Sequence, residues 1–288
     1  MHQPRALFEA TLRAAAFLTR LSISSRVFES QGGPANARSP ENASIDAPGI
    51  GDRGARQARR YQLGDDAYAF PLVGLIVATP AAILLVVLPA LGLSPLVSGL
   101  LALASLVAMT GALHEDGLAD VADGLFGHQP KDRALEIMHD SRVGSYGAIA
   151  LVLSLALRAA LLAELCATRP LLAAAAILAA AAASRGAMAA FWALTMPATQ
   201  TGLAARAGRP SRQNGWTSLL IGTAIALCFA SPLAGLVPTL AAAALAAVTL
   251  ALFRRFIRRR IGGQTGDCLG AAQQLCEMAV LLGFSVGS

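Results

Sequence analysis

Between Phe70 and Leu113 the sequence carries no charged residue at all, a run of 44 positions. Charged residues are only 14% of the whole chain, too few to give a water-soluble globule of this length a solvated surface, which excludes an ordinary soluble domain. Aromatics are 5%, and alanine is abundant in long apolar blocks. That pattern argues against a transmembrane β-barrel, whose strands alternate in polarity between aromatic girdles, and favours helices packed through small residues. The four cysteines, Cys166, Cys228, Cys268 and Cys276, have no CxxC or Cys/His spacing. They therefore read as small packing residues and not as a zinc centre. No cleavable signal peptide is expected, because Glu9, Arg13 and Arg20 interrupt the N-terminal apolar stretch.

What the chain does have is 55% hydrophobic residues and a mean hydropathy of +0.57. A bilayer core of about 30 Å takes roughly 20 apolar residues as helix. Six windows satisfy this: Phe70 to Leu91, Ser94 to Leu113, Gly144 to Leu165, Leu171 to Thr195, Trp216 to Ser231 with its flanks, and Leu233 to Phe253. A seventh, Asp267 to Phe284, is weakened by Glu277. The expected fold is all-α, a polytopic integral membrane helical bundle of six to seven transmembrane helices. An N-terminal amphipathic helix within residues 1–28, with Leu7, Leu12, Phe17, Leu18 and Leu21 among charges, is expected to lie at the interface. Residues 29–64, rich in Gly, Pro, Ser, Asn and Arg, are expected to form a poorly ordered cytoplasmic loop, and residues 65–288 a single membrane catalytic domain.

The net charge of +6 does not indicate nucleic acid, because the basic residues follow the membrane. Arg53, Arg56, Arg59 and Arg60 precede the first window; Lys131, Arg133 and Arg142 follow the second. Arg206, Arg209 and Arg212 follow the fourth, and Arg254, Arg255, Arg258, Arg259 and Arg260 follow the sixth. The opposite connections hold a single Arg, at position 169. This asymmetry predicts that the polar loops face the cytoplasm, in a bacterial inner membrane.

Directly after the silent run stands His114-Glu115-Asp116-Gly117-Leu118-Ala119-Asp120-Val121-Ala122-Asp123-Gly124. Read as a helical extension of the second span, it places Asp116, Asp120 and Asp123 at i, i+4 and i+7, within about a 60° sector. Three like charges on one face repel, and a bound cation is the simplest reason to keep them together. Glu115 points about 100° away, as a group behind the site or the ligand of a neighbouring one. Oxygen-only ligands suit Mg²⁺ or Mn²⁺ bridging to substrate phosphates, so phosphoryl or nucleotidyl chemistry is implied.

Two further segments fall on the same side of the membrane. Asp140-Ser141-Arg142-Val143-Gly144-Ser145-Tyr146-Gly147 brings a carboxylate, a hydroxyl and a guanidinium to a helix start, where phosphate binds readily; a capping Ser and a topological Arg would explain it equally. Gly262 to Ala271 forms a Gly-rich loop in which Asp267 serves either as an N-cap or as a metal or substrate ligand. Arg158 and Arg185 lie inside apolar windows, where an unpaired charge costs at least about 2.5 kcal/mol; Arg185 calls for an acidic or phosphate partner, and Arg158 for one too unless it snorkels.

Taken in order, Phe17-Leu18-Thr19-Arg20-Leu21, Phe70-Pro71-Leu72-Val73-Gly74, Glu115 to Asp120 with Asp123-Gly124, Asp140-Ser141-Arg142 with Gly144 and Tyr146-Gly147, Ser184-Arg185, and Gly266-Asp267 with Gly270-Ala271 give a chain that resembles the cobalamin synthase family, the adenosylcobinamide-GDP ribazoletransferases. The resemblance covers nearly the whole chain. It implies a Mg²⁺-dependent transferase that joins adenosylcobinamide-GDP to α-ribazole or its 5′-phosphate and releases GMP, the last step of nucleotide-loop assembly in cobalamin biosynthesis. In that reading Asp116, Asp120 and Asp123 hold the metal. Glu115, Asp140 and Arg142 form the catalytic group, with Glu115 or Asp140 orienting or deprotonating the hydroxyl. Ser141, Gly144, Tyr146, Arg185, Gly266 and Asp267 bind substrate. The lipid bilayer is the expected partner, nucleic acid is not, and a homo-oligomer is compatible with the sequence. A CDP-alcohol phosphotransferase is the nearest rival, since Asp120-Val121-Ala122-Asp123-Gly124 mimics its opening, but the second Asp pair of that pattern is missing. A transporter would place its carboxylates near mid-membrane, whereas the acidic cluster here lies at one end, apart from Glu277.

Overall fold

In a computed structural model, residues 4–29, 61–199 and 207–286 are described. They form eleven α-helices and one 3₁₀ helix: α1 (Pro4–Leu18), α2 (Arg26–Glu29), the 3₁₀ helix (Leu63–Ala69), α3 (Phe70–Ala90), α4 (Pro95–Thr110), α5 (Leu113–Phe126), α6 (Lys131–Met138), α7 (Ser145–Thr168), α8 (Pro170–Leu194), α9 (Arg212–Ala234), α10 (Leu236–Arg260) and α11 (Gly266–Ser285). The described residues contain no strand, and the all-α polytopic bundle is the observed architecture. Most of the 29–64 segment, with Arg53, Arg56, Arg59 and Arg60, lies outside the described residues, as does Arg206.

Six helical segments are long and apolar enough to cross a membrane: the 3₁₀ helix with α3, and α7, α8, α9, α10 and α11. The composition of this set differs from the sequence reading. The last window qualifies despite Glu277, whereas α4 has only 16 residues and reaches a seventh span only as a bent pair with α5. α8 is the central helix, with 83% of its apolar window buried against protein rather than turned to lipid. Its alanines permit close approach: a Cβ on Gly74 of α3 would lie 2.4 Å from the Ala181 carbonyl oxygen.

The acidic segment is not an extension of the second span. Gly111 (φ 64°) and Ala112 (φ 59°) both take the left-handed conformation, which ends α4 and turns α5 by 89°. Gly accepts that geometry without cost, while for Ala it costs about 1–2 kcal/mol. Glu115 and Asp116 therefore occupy the first turn of a separate helix, where its dipole favours negative charge, and not a helix C-terminus.

α1 is amphipathic, as expected, but it ends at Leu18 and is fastened from within. The Arg13 guanidinium donates to both carboxylate oxygens of Asp66 on the 3₁₀ helix, at 2.7 and 2.9 Å, and Tyr61 Oη donates to Oδ2 at 2.8 Å. Arg13 and Asp66 are both buried.

At the heart of the bundle, Arg158 of α7 donates to Glu115 of α5 and to Glu277 of α11, both at 3.1 Å. Arg158 thus does not snorkel; its charge is met inside the protein. Gln274 Nε2 donates to Glu115 Oε1 (3.1 Å), and Gln273 Nε2 donates to Glu277 Oε2 (2.6 Å) and to Ser184 Oγ of α8 (3.0 Å). Removing one member of a buried ion pair strands the rest, at about 3–5 kcal/mol. Arg158→Leu is therefore expected to lower the thermal midpoint of the detergent-solubilised protein sharply. Adding Glu115→Gln, which leaves Glu277 to balance the buried Arg185, should recover part of the loss. Equal midpoints for the single and double variants would show that stranded charge is not the cause.

Candidate active site

α5 divides its side chains by chemistry. Leu118, Val121 and Leu125 are buried in a core cluster shared with α6, α10 and α11. The other side presents Asp116, exposed, and Asp120 and Asp123, both half-buried. The helical spacing expected from sequence thus puts the three carboxylates on one side of α5. Glu115 does not share it: only 5% exposed, it faces Arg158 and Gln274 in the interior. This removes it from the proton-transfer role suggested beforehand, for the reason that its 100° offset points it into the bundle.

Two contacts bring neighbouring helices to this row. Gly117 lets α5 lie directly on the start of α11, where a Cβ would meet the Asp267 carbonyl oxygen at 2.7 Å; from α11, Gly270 faces the His114 Cα and the Gly117 Cα. The row therefore gains a fourth carboxylate, Asp267, half-buried at the second position of α11. Thr265, not Asp267, is the N-cap: its Oγ1 accepts from Cys268 N–H at 3.4 Å and donates to Asp267 Oδ2 at 3.2 Å. The Gly-rich loop before it is pinned to the exit of α8 by Gln264 N–H to Met196 O and Ala198 N–H to Gln264 O, both 2.8 Å. Gly266 is exposed in open space.

At the other end of the row, Asp123 Oδ2 accepts from Gly144 N–H (2.7 Å) and Oδ1 from Gly147 N–H (2.8 Å). Each oxygen of Asp123 thus receives a backbone N–H of the segment that opens α7. Those N–H groups, which the sequence leaves open to a phosphate, are used within the fold. Arg142 is likewise engaged, gripping Asp140 through Nη2 to Oδ2 at 2.7 Å and Nε to both oxygens at 3.1 and 3.2 Å. Asp123, Ile137, Asp140, Arg142, Val143 and Gly144 line a cavity of about 330 Å³. Ser141 is exposed and not among the lining residues, and exposed Tyr146 stacks on Phe126 with ring centroids 6.4 Å apart. Arg185 is not near this surface: it is 1% exposed within α8 and donates to Ala181 O at 3.1 Å.

The electrostatics separate the carboxylates. Arg142 holds Asp140 down to about 2, which makes it a weak base. Burial, then the charges of Asp267, Asp116 and Asp123, push Asp120 up to about 7, against an opposing effect of His139; α5 lies outside the six spans. A proton on Asp120 or a cation among Asp116, Asp120 and Asp267 relieves the same repulsion. Among the described residues no three His, Cys, Asp or Glu side chains already form a closed metal cluster. An open set of one or two carboxylates fits Mg²⁺, which keeps waters and takes phosphate oxygens from its substrate.

Sequence reading gave no role to Arg20. Its backbone N–H donates to Met109 O at 2.8 Å, and its side chain lies across Gly111, so that a Cβ there would sit 2.0 Å from Nε. With Phe17, Thr19, Thr110, Gly111 and Asp116 it lines a cavity of about 430 Å³ at the Asp116 end of the row. The motif around Arg20 was visible in the sequence, but nothing there brought it to Asp116. The basic run of α10 also has local work: Arg254 donates to Leu194 O (2.6 Å) and Arg260 to Leu125 O (2.8 Å), covering the carbonyl ends of α8 and α5.

The family model described as cobalamin-5-phosphate synthase matches residues 10–285. Among curated relatives, the adenosylcobinamide-GDP ribazoletransferase of Azorhizobium caulinodans is 48% identical over 217 residues, covering 75% of this chain and 82% of its own. That of Rhizobium johnstonii is 40% identical over 272 residues, 94% of each chain. That of Sinorhizobium medicae is 39% identical over 285 residues, 98% of this chain and 97% of its own. No solved structure matches. A match that begins inside α1 and ends at the last residue of α11 takes in every element that builds the acidic row, and the chain belongs to the cobalamin-5-phosphate synthase family.

Proposed function

We propose that this protein is an adenosylcobinamide-GDP ribazoletransferase, joining adenosylcobinamide-GDP to α-ribazole or its 5′-phosphate with release of GMP. The observation that carries this reading is the family match over residues 10–285, together with full-length relatives of that name. In the reaction an α-ribazole hydroxyl attacks the cobinamide-side phosphorus, the phosphorus–oxygen bond to GMP breaks, and the hydroxyl proton is released. One or two carboxylates of the set Asp116, Asp120 and Asp267 would hold Mg²⁺, which when bound supplies charge neutralisation to the diphosphate. Asp123 contributes by tying α5 to the start of α7 through Gly144 and Gly147. The 330 Å³ cavity beside it, between Asp140 and Arg142, offers room for one reactant next to the row.

The site faces the cytoplasm of a bacterial inner membrane in this reading. Lys131, Arg133, Arg142, Arg209, Arg212 and the α10 arginines cluster at the end of the bundle that carries the row, as the positive-inside rule requires.

Purified protein in membranes, supplied with adenosylcobinamide-GDP, α-ribazole and Mg²⁺, is expected to form a cobamide and GMP, and to stop when the metal is chelated. Consumption of CDP-diacylglycerol instead would favour the phospholipid-enzyme reading. Asp116→Asn and Asp120→Asn should each lower kcat at least about a hundredfold, with the protein still inserted. Near-normal turnover in both would remove the row from the chemistry.

Asp120 carries a second expectation. Its carboxyl stays protonated in the fold to about pH 7 but ionises near 3.8 in the unfolded chain, so stability falls as pH rises through that window and levels off above it. Asp120→Asn escapes that loss. Without Mg²⁺ its thermal midpoint should exceed that of the unsubstituted protein at pH 8, and the two should converge near pH 4. A constant gap across the range would contradict the assignment.

A further inference from the structure

The acidic row has an arginine at each end, and only one of them is committed. Arg142, beside Asp123, has its Nε and Nη2 on the Asp140 carboxylate. Arg20, beside Asp116, is exposed, and its side chain makes no ion pair or hydrogen bond among the described residues. An uncommitted guanidinium presents a planar fork of donors suited to two oxygens of one phosphate. Its position is set by the backbone: the Arg20 N–H holds Met109 O, and the left-handed Gly111 leaves the gap across which the side chain lies. The cavity it shares with Asp116 has about 430 Å³ and adds the side chains of Thr19 and Thr110 to its lining. A lone anion would be repelled by Asp116, whereas a phosphate that also engages a cation on the row meets both charges.

We infer that Arg20 is a substrate-binding residue for a phosphate group at the Asp116 end of the row. This rests on the ribazoletransferase reading, in which two phosphate sources exist: the diphosphate of adenosylcobinamide-GDP and the 5′-phosphate of α-ribazole 5′-phosphate. The committed Arg142 at the far end leaves Arg20 as the free fork of the pair.

The test compares the unsubstituted protein with Arg20→Ala and Arg20→Lys. KM is measured for adenosylcobinamide-GDP, α-ribazole 5′-phosphate and unphosphorylated α-ribazole, and equilibrium binding for GDP and α-ribazole 5′-phosphate with Mg²⁺ present. Loss of a charge-assisted phosphate contact should raise one of the two phosphate KM values at least about tenfold, with a parallel loss of binding by the corresponding probe. The KM of unphosphorylated α-ribazole should stay within about twofold, and Lys, which keeps the charge and loses the fork, should fall between. A rise for adenosylcobinamide-GDP and GDP assigns Arg20 to the diphosphate, and a rise for α-ribazole 5′-phosphate assigns it to the other reactant; both support the inference. Unchanged KM and binding for both phosphates, or a fall in kcat alone, overturns it. Failure of the unsubstituted protein to form any cobamide would instead bring down the ribazoletransferase reading.

Discussion

The facing of α5 depends on one buried ion triad. Arg158 reaches Glu115 on α5 and Glu277 on α11 from the interior of α7, so three helices share a single charge balance in a region that excludes water. A bridge of this kind contributes little net stability beyond what an apolar core would give, but it is unforgiving of rotation. With Glu115 held inward, the neighbouring face of α5 must point outward. The orientation of Asp116, Asp120 and Asp123 is thus set by a residue that none of them touches.

The outward face accumulates like charge deliberately. Gly117 and Gly270 draw the start of α11 against α5 and bring Asp267 beside Asp120, while Asp123 is consumed in holding the opening of α7. The same close packing that a membrane bundle uses for stability here concentrates negative potential where the helix ends meet. The fold answers that repulsion by keeping a proton on Asp120 to near neutrality.

Much of this was legible in the sequence. Apolar runs located the spans, and the i, i+4, i+7 spacing located the carboxylate face. What escaped detection has three physical causes. The elbow depends on Ala112 in a left-handed conformation, for which an alanine in an apolar run gives no signal. The clamp of Arg13 on Asp66 and the bridge of Arg158 to Glu277 join residues 53 and 119 positions apart, so local pattern could identify each charge as anomalous but not its partner. Glu277, which weakened the last span when read alone, is what Arg158 requires. Arg142, Gly144 and Gly147 looked free for phosphate because sequence cannot tell which hydrogen-bonding capacity the fold has already used.

The right-angled elbow has a further consequence. Seven residues of helix carry the carboxylates over about 10 Å along the α5 axis. Had α5 continued α4, that distance would have been depth, and the three groups would have stood at different levels between lipid and water. Turned by 89°, they lie abreast, crosswise to α4. The cavities at Asp116 and Asp123 are then separated sideways across the end of α4, not stacked along it.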